Sequence, residues 1–310
     1  MGSTRSSADA WSGYTRATAS STYGSTFKAT AGVAGATEDP QFNPKNITVR
    51  ESRDSVANPD STPIILALDG TGSMGAVLVQ AFKSLGILFT GIYDRQPVSD
   101  PHIMAMIFDD VAVGARHPLQ VSQFESDIII TDQLSKLYVD RNGGGNSSES
   151  YHLPLHFAAT RTECDAFAKG RKGFLFTIGD EEIPGPLTKE HIKAVYGDDV
   201  NEGPYTYREL YDMASENWHV FHIMVEQGSH MRAYKDRTIE RWQNEIGQHA
   251  IPLSDIDALP EVIIGVMQVV AGEDAAKVAK TFSESKAVAV AHAVGGLTKF
   301  GGGQGGVARL

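Results

Sequence analysis

The densest chemistry in the chain lies in Asp69-Gly70-Thr71-Gly72-Ser73-Met74-Gly75, where one carboxylate and two hydroxyls alternate with glycines. Oxygen donors of this kind suit a hard divalent cation such as Mg2+, which takes octahedral oxygen ligands and keeps several waters. A short turn can bring the Asp69 carboxylate and the Thr71 and Ser73 hydroxyls to one point, and the glycines let the backbone bend that closely. The pentapeptide alone supports a plainer reading equally well: Thr71 and Ser73 cap the following helix while Asp69 is a surface turn residue. Two enzyme chemistries also touch this loop. Gly70, Gly72 and Gly75 match G-x-G-x-x-G, the dinucleotide fingerprint between a strand and a helix. Asp69 would then set a negative charge at the mouth of a pyrophosphate site. The acidic ribose anchor belongs about 20 residues on, whereas Asp109 and Asp110 come considerably later. A phosphotransfer enzyme with Asp69 as nucleophile would need a second Asp where Thr71 stands. Both departures argue against an enzyme.

Two further oxygen-rich segments follow in order. Asn142-Gly143-Gly144-Gly145-Asn146-Ser147-Ser148-Glu149-Ser150 opens a helical stretch, and Gly179-Asp180-Glu181-Glu182 closes an apolar run. With D-x-T-G-S-M first, then G-G-G-N, then T-x-G-D, residues 62–271 resemble von Willebrand factor A-type (vWA) domains that carry a metal ion-dependent adhesion site. The likeness is to a bacterial and phage branch with D-x-T-G-S-M in place of D-x-S-x-S. The resemblance implies a Rossmann-like fold, with Asp69, Thr71 and Ser73 as the first ligand set for Mg2+ or Mn2+. It also implies that Asp180 reaches the metal from the next loop, often through water. The middle motif lacks the Thr of many vWA domains, so Asn146 or Ser147 would substitute; a glycine-rich loop with a helix cap is the alternative there. The function implied is a non-catalytic adaptor that binds an Asp or Glu of a protein partner through the metal, working beside a MoxR-type AAA+ ATPase. A structural component of a phage virion or other assembly is the second reading, and a metal- or dinucleotide-dependent enzyme the third.

The segments that must hold these loops alternate between apolar runs and helical periods. Residues 63–68, 102–108 and 172–178 read as strands buried on both faces, with further strands at 111–116, 218–225 and 250–253. Residues 74–89, 126–139, 148–167, 207–216, 236–247 and 257–271 read as helices. Such alternation defines the α/β class: a doubly wound, mostly parallel central sheet flanked by helices, which binds ligands at the carboxyl ends of its strands. Trp218, Phe221 and Trp242 read as core. His219 and His222 sit at odd spacing on one strand, face opposite sides and cannot share a metal. Glu181 and Glu182 read as solvated charges. Ser147 and Ser148 near His152 lack the elbow and acid partner of a nucleophilic site, and Cys164, the sole cysteine, reads as a small buried hydrophobe.

Of 310 residues, 41% are hydrophobic and 21% charged, enough apolar surface for a sizeable core. A formal charge of -11 argues against nucleic acid or an anionic membrane as partner, since both demand clustered Lys and Arg. The most apolar stretch, 259–271, carries Glu261 and Gln268 and is too short to span a bilayer. No apolar h-region of a signal peptide opens the sequence, so the chain reads as cytoplasmic, or virion-associated if phage-encoded. Residues 1–61, rich in Ser, Thr, Ala and Gly, read as an extended or disordered arm before a vWA-like domain at 62–272. Residues 273–310 read as an Ala-rich helix and a flexible Gly-rich tail.

Overall fold

The computed structural model describes residues 8–18, 29–30, 37–139 and 146–297. The strands are β1 (Ala29–Thr30), β2 (Arg50–Ser52), β3 (Thr62–Asp69), β4 (Pro101–Phe108), β5 (Leu119–Val121), β6 (Tyr138–Val139), β7 (Thr162–Cys164), β8 (Gly173–Gly179), β9 (Trp218–Val225) and β10 (Ala250–Leu253). The helices are α1 (Ala8–Thr18), α2 (Gly75–Lys83), α3 (Leu85–Arg95), α4 (Ile129–Lys136), α5 (His152–Thr160), α6 (Asp165–Ala168), α7 (Lys189–Tyr196), α8 (Tyr207–Ser215), α9 (Ser229–Ile246), α10 (Leu259–Val270), α11 (Ala275–Lys280) and α12 (Glu284–Gly295).

Six strands form the central sheet in the order β10-β9-β8-β3-β4-β5, all parallel except β5, which runs antiparallel to β4. Continuous apolar sequence is what a strand covered on both faces requires, and alternate residues enter opposite layers. Ile64, Leu66, Leu68, Phe174, Phe176 and Ile178 join one core with Leu78 and Phe82 of α2, Phe89 of α3 and Ile263 of α10. Ile65, Ala67, Met104, Met106 and Leu175 join the other with Leu155 of α5, Leu210 of α8 and Trp242 of α9. The architecture is therefore α/β, doubly wound and Rossmann-like. After β3 the chain steps outward to β4, while β8 pairs on the other side of β3. The reversal opens a crevice between the carboxyl ends of β3 and β8, the place where such sheets bind ligands.

Local chemistry moved several boundaries. The helix expected over 74–89 breaks at Ser84, whose hydroxyl donates to the Gln80 carbonyl at 2.9 Å. The two halves, α2 and α3, meet at 41°, as back-bonding serines tend to bend helices. The strand expected at 111–116 is a single 3-10 turn, Val111–Val113, capped by the Asp110 side chain on Ala112 N and ended by Gly114 at φ +80. The antiparallel strand is β5 instead. The stretch 148–167 divides into α5, β7 and α6. α7 was not foreseen; it starts with Thr188 and His191 in a reciprocal cap, without the Glu or Gln that usually marks one. Residues 273–294 form two helices, α11 and α12, and the Gly-rich tail lies outside the described residues.

The arm expected over 1–61 needs correction from Thr37 onward. Two 3-10 turns, Pro40–Phe42 and Pro44–Asn46, are capped by the side chains of Asp39 and Asn43, and Phe42 and Ile47 are buried in the two cores. β2 pairs in parallel with β7. The Arg50 guanidinium donates to the carbonyls of Gln41 and Val121 at 2.6 and 3.0 Å, and Ser52 Oγ lies 3.0 Å from His102 Nδ1. Capping residues and a buried arginine hold this segment, so a count of aliphatic residues missed it. Phe42→Ala should lower unfolding stability by about 3–5 kcal/mol in denaturant titration. The same truncation at Val56, which is fully exposed, should stay within about 0.5 kcal/mol. Equal effects would mean that the segment does not brace the domain.

Candidate metal centre

Asp69 is the last residue of β3, and its carboxylate turns back over its own loop. Oδ1 accepts from Thr71 N at 2.8 Å and from Thr71 Oγ1 at 2.6 Å. Thr71 Oγ1 lies 2.9 Å from Ser73 Oγ, which donates to Asp180 Oδ1 at 2.7 Å. Four side chains from two loops thus form one continuous chain of oxygens across the crevice between β3 and β8. Gly70 fits because nothing projects from its Cα: a Cβ there would stand 2.5 Å from Ile107 Cγ2. Gly75 takes φ +38 at the start of α2, in the left-handed region that favours glycine.

Asp180 follows β8 and is held from its far side by α9. Its Oδ2 accepts from His230 N at 3.0 Å, in the first turn of that helix, where unpaired N–H groups and the helix dipole favour an anion. The approach is tight, for a Cβ on Gly228 would lie 2.2 Å from both the Cβ and Oδ2 of Asp180. Tyr151 anchors the other acid. Fully buried, its hydroxyl donates to Asp69 Oδ2 at 3.3 Å and accepts from Glu181 N at 3.0 Å. Its ring packs edge-on to Phe108, His222 and Trp242.

The electrostatics are those of acids short of counter-charge. Burial, then the nearby Asp180, raises Asp69 well above the usual carboxylate range, and burial raises Asp180. Burial and Asp180 push Glu181 up to about 7. Burial, followed by Asp69 and Glu181, pushes Glu149 to about 11. Among the described residues neither Asp69 nor Asp180 has an ion pair, and no three His, Cys, Asp or Glu side chains converge as a ready metal nest. A cation held here would draw on hydroxyls as well as carboxylates. The donor set fits one: every side-chain ligand is an oxygen, as Mg2+, Mn2+ or Ca2+ prefer.

Of the six residues singled out in the sequence, Asp69, Thr71, Ser73 and Asp180 come together. Asn146 and Ser147 do not join their hydrogen-bond chain. Asn146 Nδ2 donates to Asp110 Oδ2 at 2.5 Å, and Ser147, at φ +65, accepts Glu182 N on its carbonyl at 3.3 Å. The rest of that glycine loop, 140–145, lies outside the described residues. Glu182 is not a solvated charge: it is buried and paired with Arg241 and, at 2.6 Å, with Arg237, both on α9. Glu181 is half-buried. His222 and His219 do enter opposite layers: His222 stacks on Trp242 with ring centroids 3.7 Å apart, while His219 packs on Phe174. Cys164 is free and buried. Sequence reasoning passed over Tyr151 and gave Glu149 and Asp110 no part in a metal site. Their only signal was position, just after one glycine loop or one sheet strand.

No family model matches this chain, and no curated protein matches it. Among solved structures, the pilus adhesin SpaC from Lactobacillus rhamnosus GG, in its open conformation, is similar at 12% identity and a TM-score of 0.46, over 71% of this chain and 31% of that one. A second structure of the same adhesin gives 12% and 0.44, over 71% and 32%. The conserved hypothetical protein BatB from Bacteroides thetaiotaomicron gives 16% and 0.30, over 53% of this chain and 66% of that one. The chain spans about a third of the adhesin's length. These likenesses are weak, and nothing about the site is drawn from them.

Stability should report the crowded acids. A carboxylate whose folded pKa is raised is stabilising when protonated, and that contribution disappears as pH climbs through the raised value. The buried histidines oppose this at low pH: His102, His219 and His249 are lowered to about 4, and His152 and His222 to about 3, by burial. They make the fold more stable as pH rises toward their ordinary 6.5 and add nothing above it. With chelator present, melting temperature should therefore fall from about pH 7 to about pH 8.5, where only groups with raised values still titrate. Glu149→Gln should flatten the decline, since Glu149 is the acid pushed to about 11; an equal slope in wild type and variant would remove Glu149 as its source.

Proposed function

We propose that this chain is a vWA-type binding module whose Asp69, Thr71, Ser73 and Asp180 hold one divalent cation, Mg2+ or Mn2+, and that the cation grips an acidic side chain of a protein partner. The observation that carries the reading is the unbroken chain of oxygens from Asp69 to Asp180, at the switch point of the sheet, with no cationic side chain paired to either acid among the described residues. Two buried carboxylates in one hydrogen-bonded chain are unfavourable when both are ionised. A divalent ion removes that conflict and keeps waters that an incoming carboxylate can displace. The site is one of capture, and no turnover is assigned to it. The resemblance in the loop order makes a MoxR-type AAA+ ATPase the first partner to test.

The cation comes first. A ligand bound only to the folded state adds about 2.7 kcal/mol when present at about 100 times its Kd. Millimolar Mg2+ or Mn2+ should therefore raise the melting temperature of the full chain and should not do so for Asp69→Ala. A melting curve indifferent to both metals would sink the reading.

Capture of the partner should then follow the metal. A MoxR-type ATPase co-expressed with the chain should co-purify in Mg2+, be released by EDTA, and fail to bind Asp69→Ala, whose far-ultraviolet circular dichroism should match wild type. A complex that survives both treatments would leave the loop a structural feature only.

A further inference from the structure

The loop of the middle motif, third at the crevice beside those that follow β3 and β8, brings a residue that neither the motif order nor the oxygen chain uses. Glu149 is buried, with 1% of its surface exposed. Among the described residues its Oε2 has no hydrogen-bond partner. After burial, Asp69 is the strongest electrostatic influence on it, followed by Glu181, Asp110 and Asp109, every one an acid. No Lys, Arg or His forms a salt bridge with it among the described residues. An ionised carboxylate left like this in the interior is strongly unfavourable. Its two oxygens can accept several hydrogen bonds, and the described residues supply no donor for Oε2.

We propose that Glu149 completes the cation site from the third loop, its carboxylate accepting hydrogen bonds from water that the ion retains, in the place that the family resemblance assigns to Asn146 or Ser147. The inference rests on the cation reading above. Three facts on the molecule favour Glu149 over its neighbours. Asn146 is already committed to Asp110 through its amide. Ser147 is engaged through its backbone at a left-handed turn. Glu149 alone of the three has a buried, empty acceptor, and it lies two residues before Tyr151, whose hydroxyl donates to Asp69. Direct convergence of three acids is not what the side chains show, and a bridging water removes the need for it. A hydrated Mg2+ or Mn2+ offers strongly polarised O–H donors, the partners that Oε2 lacks.

A third carboxylate also alters the charge of the loaded centre. Against a doubly charged ion, Asp69, Asp180 and Glu149 leave one net negative charge. That composition strengthens the hold on the cation and weakens its long-range pull on an outside acid. Partner capture then depends on the open coordination position, with less help from surplus positive charge.

Calorimetry with Mn2+ on the full chain tests this with Glu149→Gln, Asn146→Ala, Asp69→Ala and wild type in parallel. Removing an outer-sphere partner of a metal ligand typically weakens metal binding about 10- to 100-fold, and Glu149→Gln should fall in that range while Asn146→Ala stays close to wild type. Without metal, Glu149→Gln should melt no lower than wild type, because burial and the neighbouring acids keep Glu149 protonated there and Gln is its neutral isostere; a structural role would lower it. Water bound to Mn2+, followed by oxygen NMR relaxation, should exchange faster in the variant. Should Glu149→Gln fold poorly, Glu149→Asp, which keeps the charge but withdraws it by one methylene, should still show weaker binding. Wild-type Mn2+ affinity in Glu149→Gln, with Asp69→Ala inactive, overturns the role of Glu149 and leaves the cation site standing. No Mn2+ binding by wild type overturns both.

Discussion

Asp69 and Asp180 are two acids that repel each other when both are ionised, and the fold joins them through two hydroxyls. Their repulsion grows in a low-dielectric crevice, so the geometry persists only because the rest of the molecule fixes it. β3 and β8 are neighbours in the sheet and deliver one acid each to the same edge. Helix α9 presents its first N–H groups to Asp180, and Tyr151 clasps Asp69 from beneath. The crevice is a charged seam built by apolar strands, and its supports are those of a rigid scaffold.

Further ties link the loops around that seam. Ser148 pairs with Glu182 in a parallel bridge, which fastens the third loop to the end of β8. The Glu182 side chain then crosses to Arg237 and Arg241. One residue thus connects three elements around the crevice, through its backbone to Ser148 and through its carboxylate to α9. Farther out, residues 37–61 close over the sheet margin, where Arg50 spans from the Gln41 carbonyl to the β5 carbonyl of Val121.

The sheet was legible in the sequence because parallel strands buried on both faces must be continuously apolar, as residues 63–68 and 172–178 are. The loops were legible because glycine beside Asp, Thr and Ser has few uses at the end of a strand. What escaped depended on single side chains acting at a distance. Ser84 breaks a periodic helix through its own hydroxyl, and Thr188 caps α7 with a histidine. Phe42 enters the core from a polar segment, a contact invisible to any window of neighbouring residues. Glu181 and Glu182 look alike in sequence, yet the Arg237 and Arg241 side chains reach only one of them; the pairing needs the turn of α9 to bring them round. Tyr151 and Glu149 share this character, since their meaning appears only when the third loop is laid against β3 and β8.

Trp242 connects the site to an optical property. Its indole N–H donates to the Glu181 carbonyl at 2.9 Å, its face stacks on His222, and its edge meets Tyr151 at 5.3 Å between ring centroids. The residue after Asp180 and the residue bonded to Asp69 therefore both touch one fluorophore. A shift of either acid by a fraction of an ångström changes the field along the indole ring, and with it the colour of the emitted light. The protein carries its own reporter, placed by the same packing that holds the seam closed.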